Sequence, residues 1–139
     1  MFHWKDQYSV RIPLIDAQHK ELFTIGNRIV ALLDTDDRTA AEESLDQLMK
    51  ELSDYTKYHF AQEEMIMRRY DYPDMGLHMK EHQTFIDYLD KIDYDRIDLA
   101  DQETLVELLQ FIEKWISKHV TETDAAYSKF LVEKMGREV

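Results

Sequence analysis

Histidine and carboxylate side chains recur along this sequence at spacings that suit metal coordination. Five of the six histidines, with two acidic residues, fall in or beside apolar stripes that have helical spacing. Residues four apart on a helix have Cβ atoms roughly 5–6 Å apart, so two adjacent turns can present two ligands to one small site. The candidate metal ligands are His19, His59, Glu63, His78, His82, His119 and Asp124.

The free energy of burial favours a metal over an empty polar core. A polar group buried without a partner costs roughly 2–7 kcal/mol, and a whole domain is stable by only about 5–15 kcal/mol. Five imidazoles and two carboxylates facing one core would exceed that margin. Coordination turns the same groups into a source of binding energy, so the sequence predicts a buried metal site.

The donor types limit the number and kind of metal. The chain has no cysteine, which excludes disulfides, thiolate zinc sites, iron–sulfur clusters and thiol catalysis. Seven ligands are too many for one tetrahedral zinc and fit two metals, because carboxylates can bridge a pair held roughly 3.5–4 Å apart. Nitrogen and oxygen donors suit iron, zinc, copper or nickel, and the spacing does not choose among them.

One candidate ligand has an irregular spacing. Asp124 lies five residues after His119, which places it roughly 140° round an ordinary α-helix. Both side chains can reach one site if the helix is locally widened, as by a π-bulge, or if the aspartate approaches from the adjacent turn. A helical irregularity at this point is therefore expected.

Composition limits the class of protein. Hydrophobic residues make up 44% of the 139 residues, and only three glycines and two prolines interrupt them, which favours long helices. The net charge of −12 argues against a nucleic-acid partner and weakly against anionic membranes. No stretch approaches the roughly 18–20 apolar residues of a membrane span. We expect a cytoplasmic protein with no membrane partner.

Apolar residues repeat at steps of three and four in four segments, which predicts four helices. The expected helices cover about 16–33, 39–70, 74–89 and 101–136, after an extended arm at about 1–15. An acidic and irregular connection is expected at 90–101. The predicted fold is all-α, an up-down-up-down four-helix bundle, and residues 1–139 are expected to form a single domain.

The ordered set of motifs closely resembles the hemerythrins, in particular the bacterial single-domain kind. The resemblance covers nearly the whole chain and depends on all the motifs together, since an isolated HxxxH arises often by chance. The matching features are an arm with Trp4, Ile15-Asp16-x-Gln18-His19-x-x-Leu22-Phe23, His59-Phe60-x-x-Glu63-Glu64-x-x-Met67, His78-x-x-x-His82 and His119-x-x-x-x-Asp124.

This resemblance implies a non-haem di-iron centre, with Fe2+ and Fe3+ forms, that binds dioxygen reversibly. Three histidines would hold one iron, two would hold the other, and two carboxylates with an oxo or hydroxo group would bridge them. These are respectively His78, His82 and His119, then His19 and His59, then Glu63 and Asp124. The iron with two histidines would keep an open position for dioxygen.

The resemblance also implies an apolar pocket that protects the oxygenated form. Its expected lining is Leu22, Phe60, Phe85, Trp115, Ile116 and Val120. Without the resemblance, each of these would be interpreted as an ordinary core residue. Both interpretations can hold for the same side chain.

Three classes of function remain open from the sequence. The leading hypothesis is an oxygen carrier, store or sensor, not an enzyme, with dioxygen as partner and any oxygen-accepting protein unknown. The alternative is a di-iron oxidase, peroxidase or nitric-oxide reductase, although the chain lacks the Glu-x-x-His pairs typical of ferritin-like di-iron enzymes. A zinc-stabilised bundle without redox activity is the third.

Several residues near the ligands are given no role in metal binding. Glu64, Glu81 and Glu122 adjoin candidate ligands but are expected to face solvent. His3, in the arm, is expected to be structural or exposed. Tyr127 has two interpretations that stay open, a hydrogen-bond donor behind the metal ligands or a core tyrosine.

Overall fold

The computed structural model describes residues 1–34, 36–92 and 102–137, and within them the fold is an all-α bundle of four rods. The last rod is continuous but changes its helical type partway along. The helices are α1 (Pro13–Val30), α2 (Arg38–Arg69), α3 (Met75–Asp90), α4 (Gln102–Lys118), a π-helical segment (His119–Asp124) and α5 (Ala125–Arg137). The predicted fold class is confirmed.

Neighbouring helices pack side by side around a common core. α1 lies against α2, α2 against α3, and α1 also contacts α4. The rings of Phe85 on α3 and Trp115 on α4 stack in parallel, with centroids 4.1 Å apart. The core is therefore enclosed on all four sides.

None of the helices in the described residues is long and apolar enough to cross a bilayer.

The first helix begins earlier than the sequence predicted. Pro13 occupies its first turn, where a missing N–H costs nothing and the fixed φ suits the helix. The arm is consequently shorter than the 15 residues expected. Asp16, in the first turn, accepts a hydrogen bond of 2.8 Å from the Val10 amide, which fixes the arm to the helix that follows it.

The second helix has clear local causes at both ends. Asp37 is its N-cap, and the carboxylate accepts a hydrogen bond of 3.2 Å from the Ala40 amide. Its C-terminus is followed by Asp71, in the left-handed region at φ 55°, and by Pro73, which cannot continue the helix. These bounds agree with the prediction to within one residue. Of the irregular connection predicted at 90–101, residues 93–101 lie outside the described residues.

The arm closes one side of the bundle with aromatic side chains. Phe2, Tyr8 and Val10 are buried. The rings of Phe2, Trp4 and Tyr8 each lie within 6.0 Å of the Phe23 ring, centroid to centroid. Edge and tilted arrangements of this kind stabilise aromatic pairs beyond the area they bury. The arm is therefore part of the core.

A layer of buried polar side chains divides the apolar core. Along α2, Thr56, His59 and Glu63 are each at most 1% exposed. On one side of them lies the large apolar cluster that includes Leu52. On the other side lies a small cluster built around Met67. The candidate functional site is this polar layer.

Candidate metal centre

All seven predicted ligand side chains meet in the polar layer. Every one of them is at most 2% exposed. They come from all four rods, so no single helix forms the site alone. The contributions are His19 from α1, His59 and Glu63 from α2, His78 and His82 from α3, and His119 and Asp124 from the π-helical segment.

The seven residues form two groups that share their carboxylates. Within each group, one potential ligand atom per residue lies within 4.8 Å of every other. The first group is Glu63, His78, His82, His119 and Asp124, and the second is His19, His59, Glu63 and Asp124. The division into three and two histidines is the one that the resemblance implied.

The two oxygens of Asp124 face different histidine groups. Its Oδ2 lies 3.0 Å from Nε2 of His19. Its Oδ1 lies 2.9 Å from Nε2 of His78 and 3.2 Å from Nε2 of His119. The carboxylate therefore spans the space between the two groups.

The two oxygens of Glu63 also face different histidine groups. Its Oε1 lies 3.6 Å from Nε2 of His19 and also contacts Nε2 of His59. Its Oε2 lies 3.3 Å from Nε2 of His78 and 3.9 Å from Nε2 of His82. Two carboxylates, each presenting one oxygen to each histidine group, are the arrangement that can bridge a pair of metal ions.

The inward atoms of the site fit bound metal ions. Within the described chain, Nε2 of His19, His59 and His78 and all four oxygens of Glu63 and Asp124 are buried without a hydrogen-bond partner. Although several of these atoms are about 3 Å apart, they do not have hydrogen-bond geometry. Buried polar groups in native proteins are almost always satisfied. A nitrogen and oxygen donor set left open in this way is suited to a divalent transition metal.

The π-helical segment brings Asp124 onto the same side as His119. Hydrogen bonds in a π-helix span five residues instead of four, and this segment runs from the histidine to the aspartate. The irregularity expected from the spacing of five is confirmed. Of the intervening residues, Glu122 is exposed, as predicted.

Three residues behind the site orient the imidazoles, and helical periodicity did not reveal them. Nδ1 of His59 donates to Oε1 of Gln18 at 2.6 Å. A ring that donates through Nδ1 keeps Nε2 as the nitrogen that can bind metal. Gln18 is buried, and its amide oxygen thus sets the tautomer of His59.

The carboxylates of Glu64 and Glu81 orient two imidazoles of the three-histidine group in the same way. Nδ1 of His82 donates to Glu64 at 3.2 Å, and Nδ1 of His119 donates to Glu81 at 2.7 Å. Glu81 also accepts from the hydroxyl of Thr123 at 2.9 Å. The prediction that Glu64 and Glu81 simply face solvent was wrong, because each is half-buried and reaches sideways to the next helix.

A sequence signal for these partners does exist. Each lies next to one candidate ligand in sequence and supports a ligand on the following helix. Gln18 lies next to His19 in sequence and accepts a hydrogen bond from His59. In the same way, Glu64 lies next to Glu63 and accepts from His82, and Glu81 lies next to His82 and accepts from His119.

His3 and Tyr127 lie in contrasting surroundings. His3 is exposed and lies outside the site, as expected. Tyr127 is 1% exposed, its ring stands edge-on to His78 with centroids 5.4 Å apart, and its hydroxyl has no hydrogen-bond partner in the described chain. It packs with the small apolar cluster. The structure therefore places it in the core and behind a candidate ligand at once.

The buried carboxylates dominate the electrostatics of the site. Burial alone would lower the pKa of His19 and of His119, but Asp124 and Glu63 raise these pKa values to about 9 and about 10. Burial is decisive for His82, whose pKa falls to about 3. Burial would raise the pKa of Glu63, yet the surrounding imidazoles hold it well below its usual value.

A small cavity adjoins the polar layer, lined by both histidines of the two-histidine group and by one histidine, His119, of the other. Its volume is about 10 Å³, room for about one water-sized molecule. All six residues of the predicted pocket line it, and so do Thr56 and three of the histidines: the full lining is His19, Leu22, Thr56, His59, Phe60, Phe85, Trp115, Ile116, His119 and Val120.

Aromatic rings enclose the cavity and hold two of the histidines in place. Trp115 stacks on His119 with centroids 4.6 Å apart and an angle of 13°. Phe60 stacks on His82 at 3.8 Å and 3°. Flat contacts of this kind restrict rotation of the imidazoles and leave a cavity wall that is mostly apolar.

Comparison with known proteins agrees with this geometry. Residues 10–131 match the family model described as the hemerythrin HHE cation binding domain. A bacteriohemerythrin of Clostridium acetobutylicum is 31% identical over 127 residues, which cover 91% of this chain and 98% of the relative. A bacteriohemerythrin of Stenotrophomonas maltophilia is 29% identical over 90% of this chain and 78% of its own. A myohemerythrin of Theromyzon tessulatum is 25% identical over 91% and 90%. The chain belongs to the hemerythrin family.

Proposed function

We propose that this protein binds dioxygen reversibly at two iron ions held by the seven converging side chains. His78, His82 and His119 would hold one iron, and His19 and His59 the other. Glu63 and Asp124 would bridge them, together with an oxo or hydroxo group. When bound, the iron pair supplies the two electrons that reversible capture of dioxygen requires. The observation that carries this proposal is the division of each carboxylate between the two histidine groups.

The unequal donor sets support a single position for the ligand. One group offers three histidines and the other two, with both carboxylates common to each. The cavity is lined by both histidines of the smaller group, His19 and His59, and by only one histidine of the larger group, His119. A small molecule in the cavity would therefore adjoin the metal that has fewer protein ligands. Apart from the histidines and Thr56, the residues that line the cavity are apolar.

The size of the cavity favours binding over oxidation of an organic substrate. A volume of about 10 Å³ has room only for a molecule close to water in size and leaves no space for an organic substrate. An oxidase or peroxidase would need space and polar groups for the molecule that it oxidises. The relatives named bacteriohemerythrin and myohemerythrin support the same conclusion.

The proposal is tested by loading the metal-free chain with Fe(II) under anaerobic conditions and then admitting oxygen. We expect a visible absorption band that appears with oxygen, fades when oxygen is removed, and returns through several cycles. Irreversible bleaching with product formation would indicate an enzyme instead. A colourless chain that takes up zinc in preference to iron would indicate a structural metal.

A matched pair of histidine variants shows whether the band belongs to this site. His119→Ala removes a candidate ligand that is 2% exposed, and we expect it to abolish the band. His3→Ala removes an exposed histidine outside the site, and we expect the band to be unchanged. Equal bands in the two variants would contradict the assignment.

A further inference from the structure

Thr56 is a buried residue of the cavity wall whose hydroxyl has no partner. The residue is 0% exposed and lies three residues before His59 on the same face of α2. It lines the cavity together with His19 and His59. Its Oγ1 has no hydrogen-bond partner anywhere in the described residues. A hydroxyl buried without a partner is unfavourable in a folded protein, so its presence in the wall requires an explanation.

Other threonines in the helices of this protein satisfy their hydroxyl groups locally. A helical threonine can donate to the carbonyl oxygen four residues earlier. Three of them do so: Thr24 to Lys20 at 3.1 Å, Thr84 to Lys80 at 3.0 Å and Thr121 to Ser117 at 2.7 Å. Thr56 could make the same bond to its own helix and does not. Its hydroxyl is therefore left free to donate to another group.

The cavity determines what that group can be. Apart from histidines that belong to the metal site, the other lining side chains are apolar, and Thr56 carries the one hydroxyl among the described lining residues. A volume of about 10 Å³ has room for about one water-sized molecule, so only a very small ligand can enter it. The partner of the hydroxyl must therefore be a very small molecule that carries a hydrogen-bond acceptor.

We infer that Thr56 donates a hydrogen bond to the small ligand that occupies the cavity, and that it favours ligands with an acceptor atom, such as dioxygen or a small anion. This inference rests on the proposed function, since it assumes a ligand bound beside His19 and His59. Thr56 is then a specificity-determining residue in a wall that otherwise recognises its ligand by size and apolar contact.

The test uses azide as the probe, added to the iron-loaded protein in its oxidised form. Thr56→Val keeps the shape of the side chain and removes the hydroxyl. We expect it to weaken azide binding roughly tenfold, the effect of losing one hydrogen bond to a charged group. The infrared stretching band of bound azide should shift in this variant. Thr56→Ser retains the hydroxyl and should restore most of the affinity and the band position.

Two controls separate ligand recognition from a structural role. Thr84→Val removes an exposed hydroxyl that is bonded to its own helix, and it should leave azide affinity unchanged. Urea unfolding of the iron-loaded protein without azide should show Thr56→Val to be at least as stable as the parent, because an unpartnered hydroxyl has been removed. Clear destabilisation would reveal an internal partner for the hydroxyl and overturn the inference.

The outcomes also separate this inference from the proposed function. If the parent protein binds azide and Thr56→Val binds it equally well with an unshifted band, the role of Thr56 is refuted while the di-iron proposal stands. If the iron-loaded parent protein binds neither azide nor oxygen, the proposed function itself fails, and the inference fails with it.

Discussion

At the scale of single residues, the hydrogen-bond partners behind three of the histidines determine how strongly their rings can bind a metal. His59 donates to the neutral amide of Gln18, whereas His82 and His119 donate to the carboxylates of Glu64 and Glu81. A carboxylate acceptor makes an imidazole a stronger donor to metal than an amide does. The three-histidine group is therefore the more electron-rich side of the site, whereas the cavity is lined by both histidines of the other group and by His119 alone of this one.

Loss of Glu81 should weaken metal binding without removing a ligand. Glu81→Ala deletes the acceptor that holds His119 at 2.7 Å. Residues that orient a metal ligand typically contribute about 10–100-fold to metal affinity, and we expect a loss of that order in competition with a chelator. Glu122→Ala, at an exposed position three residues after His119 in sequence, is the control and should have the parent affinity. Equal affinities in the two variants would exclude a positioning role.

Metal binding should release protons at neutral pH. The pKa values of His19 and His78 are raised to about 9, and that of His119 to about 10. Burial would lower all three, but the carboxylates of Asp124 and Glu63 more than offset it. These imidazoles are therefore protonated in the metal-free fold at pH 7, and each must lose its proton to bind metal. Titration calorimetry in buffers of different ionisation enthalpy should show about three protons released from the imidazoles, in addition to any proton lost by a water that becomes the bridging hydroxo group.

The same shifts set how stability of the metal-free chain depends on pH. A folded-state pKa raised from 6.5 to about 9 gives stability that is fully present below pH 6.5 and lost as pH rises through 9. Unfolding of the metal-free chain should thus become easier between about pH 7 and 10, while metal affinity increases. A proton release near zero, or stability that rises over this range, would contradict protonation of the three imidazoles at neutral pH.

At the scale of helices, periodicity in the sequence was sufficient to predict most of the positioning. The four rods, the inward stripe of α2 and the irregularity between His119 and Asp124 all followed from spacing. The start of α1 did not follow from the spacing of apolar residues, because Pro13 can begin a helix as readily as it can end an extended arm. The roles of Glu64 and Glu81 were missed because periodicity gives the face of a residue and not the sideways reach of a half-buried side chain.

The contact between the arm and α1 makes a prediction about Gly26. A Cβ added to Gly26 would lie 2.7 Å from the ring of Phe2. That ring cannot easily withdraw, since the Phe2 backbone is held by two hydrogen bonds to the Asn27 side chain. Although alanine is the better helix former, Gly26→Ala should lower the free energy of unfolding by about 1–3 kcal/mol.

Gly76 provides the matched control for this substitution. A Cβ there meets nothing within 4 Å, so Gly76→Ala should leave stability unchanged or raise it by up to about 1 kcal/mol. Urea unfolding of both variants measures the difference. If Gly26→Ala proved as stable as Gly76→Ala, the arm would not be tightly packed against α1.

At the scale of the whole molecule, the bundle holds a polar layer that is unfavourable unless something binds it. Seven histidine and carboxylate side chains of the described residues lie in the interior, and much of their donor and acceptor capacity is unused there. The sequence predicted this convergence because the ligands follow the apolar periodicity of four helices. The sequence does not identify the metal, because nitrogen and oxygen ligands bind several transition metals. The apolar lining of the small cavity followed from the resemblance to the hemerythrins, whereas spacing alone identified these residues only as core residues.

The central claim is that two carboxylates join all five histidines into one site for two metal ions. Anaerobic titration of the metal-free chain with Fe(II) tests it most directly. We predict that the parent chain binds two iron ions, and that Glu63→Ala weakens the binding of both, because Glu63 presents an oxygen to each histidine group. Binding of one iron by the parent chain, or undiminished binding of two by Glu63→Ala, would contradict the claim.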